Sequence, residues 1–177
     1  PGTYHIRAFD PPLTYMPQYW SASGSTYLQQ EADSVTVATS DVTGRDVTLG
    51  DWPLIKGTVT NEEGEPIPGL SVHSTSASGS TAADGTYEIR SWPQSSTTIL
   101  IQSSESYRGG YYSTAGVTME QSLATTVVVG STDVTGIDLV LMRFPTVSGH
   151  VIDANGDPVP GAIVQFFRHG SLAQKSA

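Results

Sequence analysis

Asp153-Ala-Asn-Gly-Asp157 sets oxygen-bearing side chains at alternate positions, the rhythm with which a loop wraps a hard cation such as calcium. The pattern then breaks. Pro158 stands where such a loop turns on Gly, and Val164 where its bidentate Glu belongs. Ninety-two residues earlier the same stretch reads Asn61-Glu-Glu-Gly-Glu65. The spacing therefore predicts a hairpin turn on Gly64 and Gly156 and no metal. His5, His73, His150 and His169 fall in different segments without His-x-His or His-x-x-x-His spacing, so they are expected as ordinary strand positions facing solvent. The sequence has neither a Gly-x-Ser-x-Gly elbow nor a Gly-rich phosphate loop followed by Lys. No catalytic residue and no cofactor is expected, and the chain is read as a non-enzyme.

The aromatic residues are the stronger candidates for contact with a ligand or a neighbour. Tyr15, Tyr19 and Trp20 recur as Tyr107, Tyr111 and Tyr112. Adjacent residues on a strand face opposite sides, so one member of each pair is expected in the core and the other outside. An exposed ring could stack on a sugar; covering the sheet or a neighbouring module is the preferred expectation. Trp52 and Phe144, each followed by Pro, are expected to wedge between consecutive modules, and Tyr4 and Tyr87 to be core or corner tyrosines.

These residues need a scaffold, and the composition says of what kind. The chain has 177 residues and a formal charge of −9, with eight Lys and Arg scattered singly. Such a surface cannot neutralise a row of phosphates, which excludes nucleic acid and anionic lipid as partners. No run approaches the roughly 18 apolar residues that insertion into a bilayer requires. Ser and Thr account for 43 residues, beside 18 Gly and 11 Pro, while charged residues are only 14%. Helix is therefore expected only as weak turns near residues 27–32 and 118–124. The absence of cysteine removes thiol chemistry and disulfide staples.

The chain also repeats itself. Ile55-Lys-Gly-Thr-Val-Thr-Asn-Glu-Glu-Gly-Glu-Pro-Ile-Pro-Gly69 returns 92 residues on as Val147-Ser-Gly-His-Val-Ile-Asp-Ala-Asn-Gly-Asp-Pro-Val-Pro-Gly161. Asp41-Val-Thr-Gly-Arg-Asp-Val-Thr-Leu49 returns at the same distance as Asp133-Val-Thr-Gly-Ile-Asp-Leu-Val-Leu141. Gly2-Thr-Tyr-His-Ile-Arg7 is closest to Gly85-Thr-Tyr-Glu-Ile-Arg90, which implies a nine-residue insertion after Arg90. Residues 51–143 are then a complete repeat, residues 1–50 the back part of one and residues 144–177 the first two strands of another. Strands are expected over 55–60 and 70–74, a turn feeding a third strand over 83–90, then strands over 98–102, 107–113, 124–129 and 137–142, and again over 147–152 and 162–167, with turn signals every 8–12 residues. The alternating apolar positions predict a core of Val59, Val72, Tyr87, Ile89, Ile99, Ile101, Val127, Val129, Ile137, Leu139 and Leu141.

One combination of motifs resembles a known family. Gly57, Val59, Gly64, Pro66, Pro68 and Gly69, then Asp84, Gly85, Tyr87 and Ile89, then Gly136, Ile137, Asp138 and Leu139 follow the order seen in carboxypeptidase-regulatory-like domains of the transthyretin-like superfamily, relatives of the collagen-adhesin B-type repeats of bacterial surface proteins. The resemblance implies an all-β chain of tandem Greek-key sandwiches, Ig-like, of about seven strands each. It also implies an extracellular, cell-surface setting. B-type repeats often carry an isopeptide bond between a first-strand Lys and a last-strand Asn or Asp, and Lys56 and Asp138 fall in those strands. Both asparagines, however, sit in the turn after a first strand, and the counterpart of Lys56 is Ser148, so Lys56 is expected as an uncrosslinked guard of a strand edge.

The expected function is a structural or adhesive repeat module. Its expected partners are neighbouring copies of the same repeat, with a glycan or a host or cell-surface protein as further candidates. The alternative is a carbohydrate-binding accessory module of a secreted bacterial hydrolase. The repeat starting in mid-module at both ends leads to the expectation of a head-to-tail fibre built by strand complementation, the complete module holding the two ends roughly 30 Å apart.

Overall fold

A computed structural model describes residues 1–168 and 171–175 of the chain. It is all-β: the described residues hold strands, and short 3-10 turns at Gln29–Glu31 and Gln121–Leu123 stand where weak helical turns are expected. No helix among the described residues is long and apolar enough to cross a membrane. The chain divides into two compact units, Pro1–Phe144 and Pro145–Ala177.

In the first unit, β1 (Gly2–Tyr4) pairs antiparallel with β4 (Val35–Val37), and β2 (Arg7–Ala8) with β3 (Gln18–Tyr19). Then comes β5 (Leu54–Asn61), an eight-residue strand whose Ile55, Val59 and Asn61 point inward. It forms the centre of a three-stranded sheet. Antiparallel β8 (Thr86–Arg90) lies on one side, with Ile55 opposite Ile89 and Gly57 opposite Tyr87. On the other side runs β13 (Leu139–Leu141), parallel to it, with Leu139 opposite Val59. A four-stranded sheet has the order β11 (Gly110–Tyr111), β10 (Leu100–Ile101), β6 (Ser71–His73), β7 (Ser78–Ser80), and β9 (Ser95–Thr97) pairs with β12 (Val127–Val129).

One apolar cluster joins these sheets, and all eleven expected core residues lie in it, accompanied by Ile55, Ile67 and Leu70. Tyr87 is the corner residue: its phenol donates to the Ile137 carbonyl at 2.6 Å, and burial pushes its pKa upward, an effect that Asp138 and Tyr112 reinforce. The bond is possible because Gly57 lies between them. A Cβ at Gly57 would stand 2.0 Å from the Ile137 oxygen.

The backbone bonds of residues 16–50 recur 92 residues on. Tyr19 and Thr26 exchange N–H···O bonds of 2.6 and 3.0 Å, as Tyr111 and Thr118 do at 2.7 and 2.9 Å. Met16 donates to Gly50 and Arg108 to Met142; Ala32 donates to Gln29 and Ala124 to Gln121. The N-terminal strand corrects the alignment. Gly2–Tyr4 pairs with Val35–Val37 as Ser95–Thr97 pairs with Val127–Val129, so residues 2–4 take the place of 95–97 and not of 85–87. A short Gly-Thr-Tyr likeness is outweighed by the partner strand, and the nine-residue insertion disappears.

The second unit holds a hairpin, β14 (Gln165–Arg168) with β15 (Ser171–Lys175). The strand expected at 147–152 does not form: residues 147–151 are exposed and lack strand pairing among the described residues, and only the bridge between Ile152 and Pro158 is made. A strand is defined by its partners, and β5 owes its eight residues to β8 and β13.

Candidate functional site

A cluster of aromatic and charged groups forms around a tight turn. Asp10 opens it: its carbonyl accepts from Leu13 N at 2.8 Å, and its carboxylate accepts from the amides of Thr14 and Tyr15 at 2.7 and 3.1 Å. This bends the backbone until Leu13 adopts φ of 52°, an uncommon left-handed state for a branched residue, and turns its carbonyl outward. Two donors meet that one oxygen. The Trp52 indole N–H reaches it at 3.1 Å and the Arg90 guanidinium at 3.0 Å. Arg90 ends β8, pairing with Leu54, so Trp52, Pro53 and Arg90 are held at the same end of the three-stranded sheet. Trp92 closes the arrangement, its ring 4.7 Å from that of Trp52 and nearly perpendicular at 76°, the edge-to-face geometry that aromatic quadrupoles favour. With Ser76, Ala77 and Ser91 these residues line a shallow groove.

The other aromatic candidates lie elsewhere. Tyr19 is half-buried on β3, with the Arg7 guanidinium 5.7 Å from its ring centre and 5.4 Å from that of Phe9. Trp20 is half-buried, with Arg45 stacked over its ring at 4.7 Å. Tyr111 is half-buried on β11, and Tyr112 packs against the core. Phe144 is 39% exposed, its amide bonded to the Ser106 carbonyl at 2.8 Å. Among the described residues, Trp52 alone of the six meets another aromatic ring.

Lys56 lies beside Asp133, at 2.9 Å, and Glu88, at 3.3 Å, all on the solvent side. Asp138 has a different partner: its carboxylate accepts both the amide and the hydroxyl of Thr58 at 2.8 Å. The ion pair holds the Lys56 ammonium above its usual pKa through Asp133 first and Glu88 second; the bonds from Lys56 and from the Leu54 amide hold Asp133 below the usual carboxylate range. Stability gained by Asp133 is complete above the unfolded carboxylate pKa, about 3.9, and is lost as acid titrates the folded group. Asp133→Asn keeps the oxygen that Leu54 uses and removes only the charge. Its denaturant midpoint is expected to fall behind that of the native chain above the unfolded carboxylate pKa, about 3.9, and to converge with it only as acid titrates the folded carboxyl, which lies lower.

The calcium rhythm at 153–157 resolves into a turn. Asp153 Oδ1 accepts from the amides of Asn155 and Asp157, both at 2.9 Å, and Asn61 Oδ1 accepts from Glu63 and Glu65 at 3.1 and 2.7 Å. A neutral amide does in one place what a carboxylate does in the other, so the position needs an acceptor and not a charge. His5 and His150 are exposed and His73 is half-buried, its Nε2 without a hydrogen-bond partner; His169 lies outside the described residues. Among the described residues no three His, Asp or Glu side chains converge as metal ligands.

Sequence reasoning missed Leu13, Arg90, Trp92 and Asp133. A signal existed for one of them, since Trp92-Pro93 repeats the Trp52-Pro53 dipeptide. No family model and no curated protein sequence matches the chain.

Proposed function

We propose that the chain is a non-catalytic structural segment of an extracellular or cell-surface protein. Its modules are β-sandwiches of the carboxypeptidase-regulatory-like, transthyretin-like kind, placed in a row as a stiff spacer that projects an adhesive or other partner at its tip. The observation that carries the reading is the contact at Leu13. Its carbonyl belongs to the N-terminal half-module, and both of its donors, Trp52 and Arg90, belong to the complete one. A flexible tether needs no such bonds, whereas two donors converging on one acceptor fix an angle between neighbours. Each bond contributes about 1 kcal/mol, enough together to hold a joint in which only Asp51 lies between Trp52 and the end of residues 1–50. The carbohydrate-binding alternative would gain from exposed rings at Trp20 and Tyr112; the first carries Arg45 and the second packs against the core.

Nitrogen-15 relaxation tests the spacer. Amides of residues 18–37 and 54–141 are expected to tumble with one correlation time, and Trp52→Ala is expected to separate the two groups while leaving the complete module folded. Two correlation times in the native chain would remove the basis of the proposal.

A further inference from the structure

Within the complete module, β13 is the outer strand of its three-stranded sheet. Val59 and Asn61 send their amides away from it, to Gly85 and Glu65 at 2.8 and 2.9 Å, so Thr58 and Thr60 are the residues of β5 whose main-chain groups meet it. Successive residues of a strand alternate in direction, which turns the backbone of Leu139 and Leu141 toward β5 and that of Val140 to the open side. Among the described residues neither the Val140 amide nor its carbonyl has a hydrogen bond on that side. Ninety-two residues earlier the position is closed: Thr48 gives its amide to the Ser25 hydroxyl at 2.8 Å. The counterpart of Ser25 is Val117, whose side chain has no acceptor. The frame is otherwise alike, since Met16 N bonds Gly50 O as Arg108 N bonds Met142 O.

Beside Val140 lies a groove of about 300 Å³ walled by Val117, Met119, Val140 and Met142. Met119, Val140 and Met142 are 51, 51 and 63% exposed. An outer strand is ordinarily guarded by Lys, Pro or a bulge; this one sets apolar side chains beside an unpaired amide and carbonyl. Arg108 and Glu62 also line the groove, one charge of each sign, so in a chain of −9 this surface is neutral. Free main-chain groups at strand spacing, adaptable Met side chains and no net charge together suit an extended, uncharged polypeptide. We propose that the groove is a strand-addition site. An uncharged segment of a partner protein, apolar at alternate residues, lies along the outer edge of β13, bonds through its main chain to Val140 and sets side chains between Met119 and Met142. Arg108 N already takes the Met142 carbonyl, so the added strand ends or turns there. The groove's counterparts Met16, Ser25, Tyr27 and Thr48 make no hydrogen bond to residues 51–144 among the described residues, so a joint of the Leu13 kind does not consume this surface.

Amide hydrogen exchange of the native chain is expected to be at least about tenfold faster at Val140 than at Leu139 and Leu141. The probe for the site is the peptide acetyl-Thr-Val-Thr-Val-Thr-amide at about 5 mM, where a millimolar site is mostly filled. It is expected to slow exchange at Val140 severalfold and to shift the NMR signals of Val117, Met119, Val140 and Met142. The same peptide N-methylated at every residue is expected to do neither, because it has lost its main-chain donors. Val117→Ser places a hydroxyl as at Ser25, and is expected to protect the Val140 amide without peptide and to abolish the response to it. A Val140 amide already protected in the native chain overturns the inference, as does the absence of any response to the peptide. A response that the N-methylated peptide reproduces, or that Val117→Ser leaves undiminished, overturns it equally. Each of these outcomes leaves the tumbling of residues 18–141, and with it the spacer, unaffected.

Discussion

Gly57→Ala is expected to lower the stability of the complete module by about 3 kcal/mol, seen as a fall in the urea midpoint with little change in slope. The added methyl would meet the Ile137 carbonyl at 2.0 Å and the Tyr87 ring at 3.1 Å. Neither can retreat cheaply. Gly57 sits in a strand paired on both sides, the Ile137 amide is bonded to Lys56 at 3.2 Å, and the Ile137 oxygen is the acceptor of the buried Tyr87 hydroxyl. The loss combines overpacking with a stranded phenol, each a recognised source of large effects. Gly149→Ala is the control. It makes the same chemical change 92 residues on, at a position with nothing within 4 Å, and is expected to leave the midpoint unchanged within error.

Leu139→Ala is expected to cost about 3 kcal/mol, the usual range for a buried leucine being roughly 2–5. Leu139 is 2% exposed and paired with Val59, so the cavity would open between the parallel strands, where β5 is fixed from the other side by β8 and cannot close on it. Val140, the next residue, is 51% exposed, and Val140→Ala is expected to change stability by less than about 0.5 kcal/mol. Equilibrium unfolding of the two variants measures the alternation directly: similar losses would mean that the strand does not face as described.

That alternation is also why the core was legible. Val59, between Thr58 and Thr60, and Ile89, between Glu88 and Arg90, sit at period-two positions flanked by polar residues, and a sheet with one buried face leaves no other register for them. The strands that were illegible are those with nothing to alternate. Ser78–Ser80 and Ser95–Thr97 are held by pairing to Ser71–His73 and to Val127–Val129, through backbone groups that every residue owns. Gly2-Thr-Tyr4 misled for the same reason, since its likeness to residues 85–87 says nothing about which strand it will find. The joint was half legible. Trp52 before Pro announced a boundary, but its acceptor is a main-chain carbonyl, and carbonyls have no signature in a sequence. Lys56 was expected to guard a strand edge, but β5 is paired on both sides and Lys56 meets Asp133 and Glu88; the place of Asp133 beside it follows from the bridge between Ile55 and Val134, a contact across the fold that spacing along the chain does not reveal.

The proposal of a spacer that holds a partner at its tip, and so is loaded along its length, has a mechanical consequence in one pair of strands. β5 and β13, the first and last strands of the complete module, run parallel, with Lys56 N bonded to Val134 O, Val134 N to Leu54 O and Leu139 opposite Val59. Pulling residue 51 away from residue 144 draws parallel strands in opposite directions along their length, so their bonds and the packing between them must yield together. Pulling residue 51 away from residue 91 instead opens the antiparallel β5–β8 pair from the end where Leu54 faces Arg90, one pair at a time. Forced unfolding reports the barrier along the pulled coordinate. Single-molecule extension of the same chain through these two sets of attachment points, at one loading rate, is predicted to give the higher unfolding force for residues 51 and 144; an equal or lower force in that geometry would contradict a tension-bearing role.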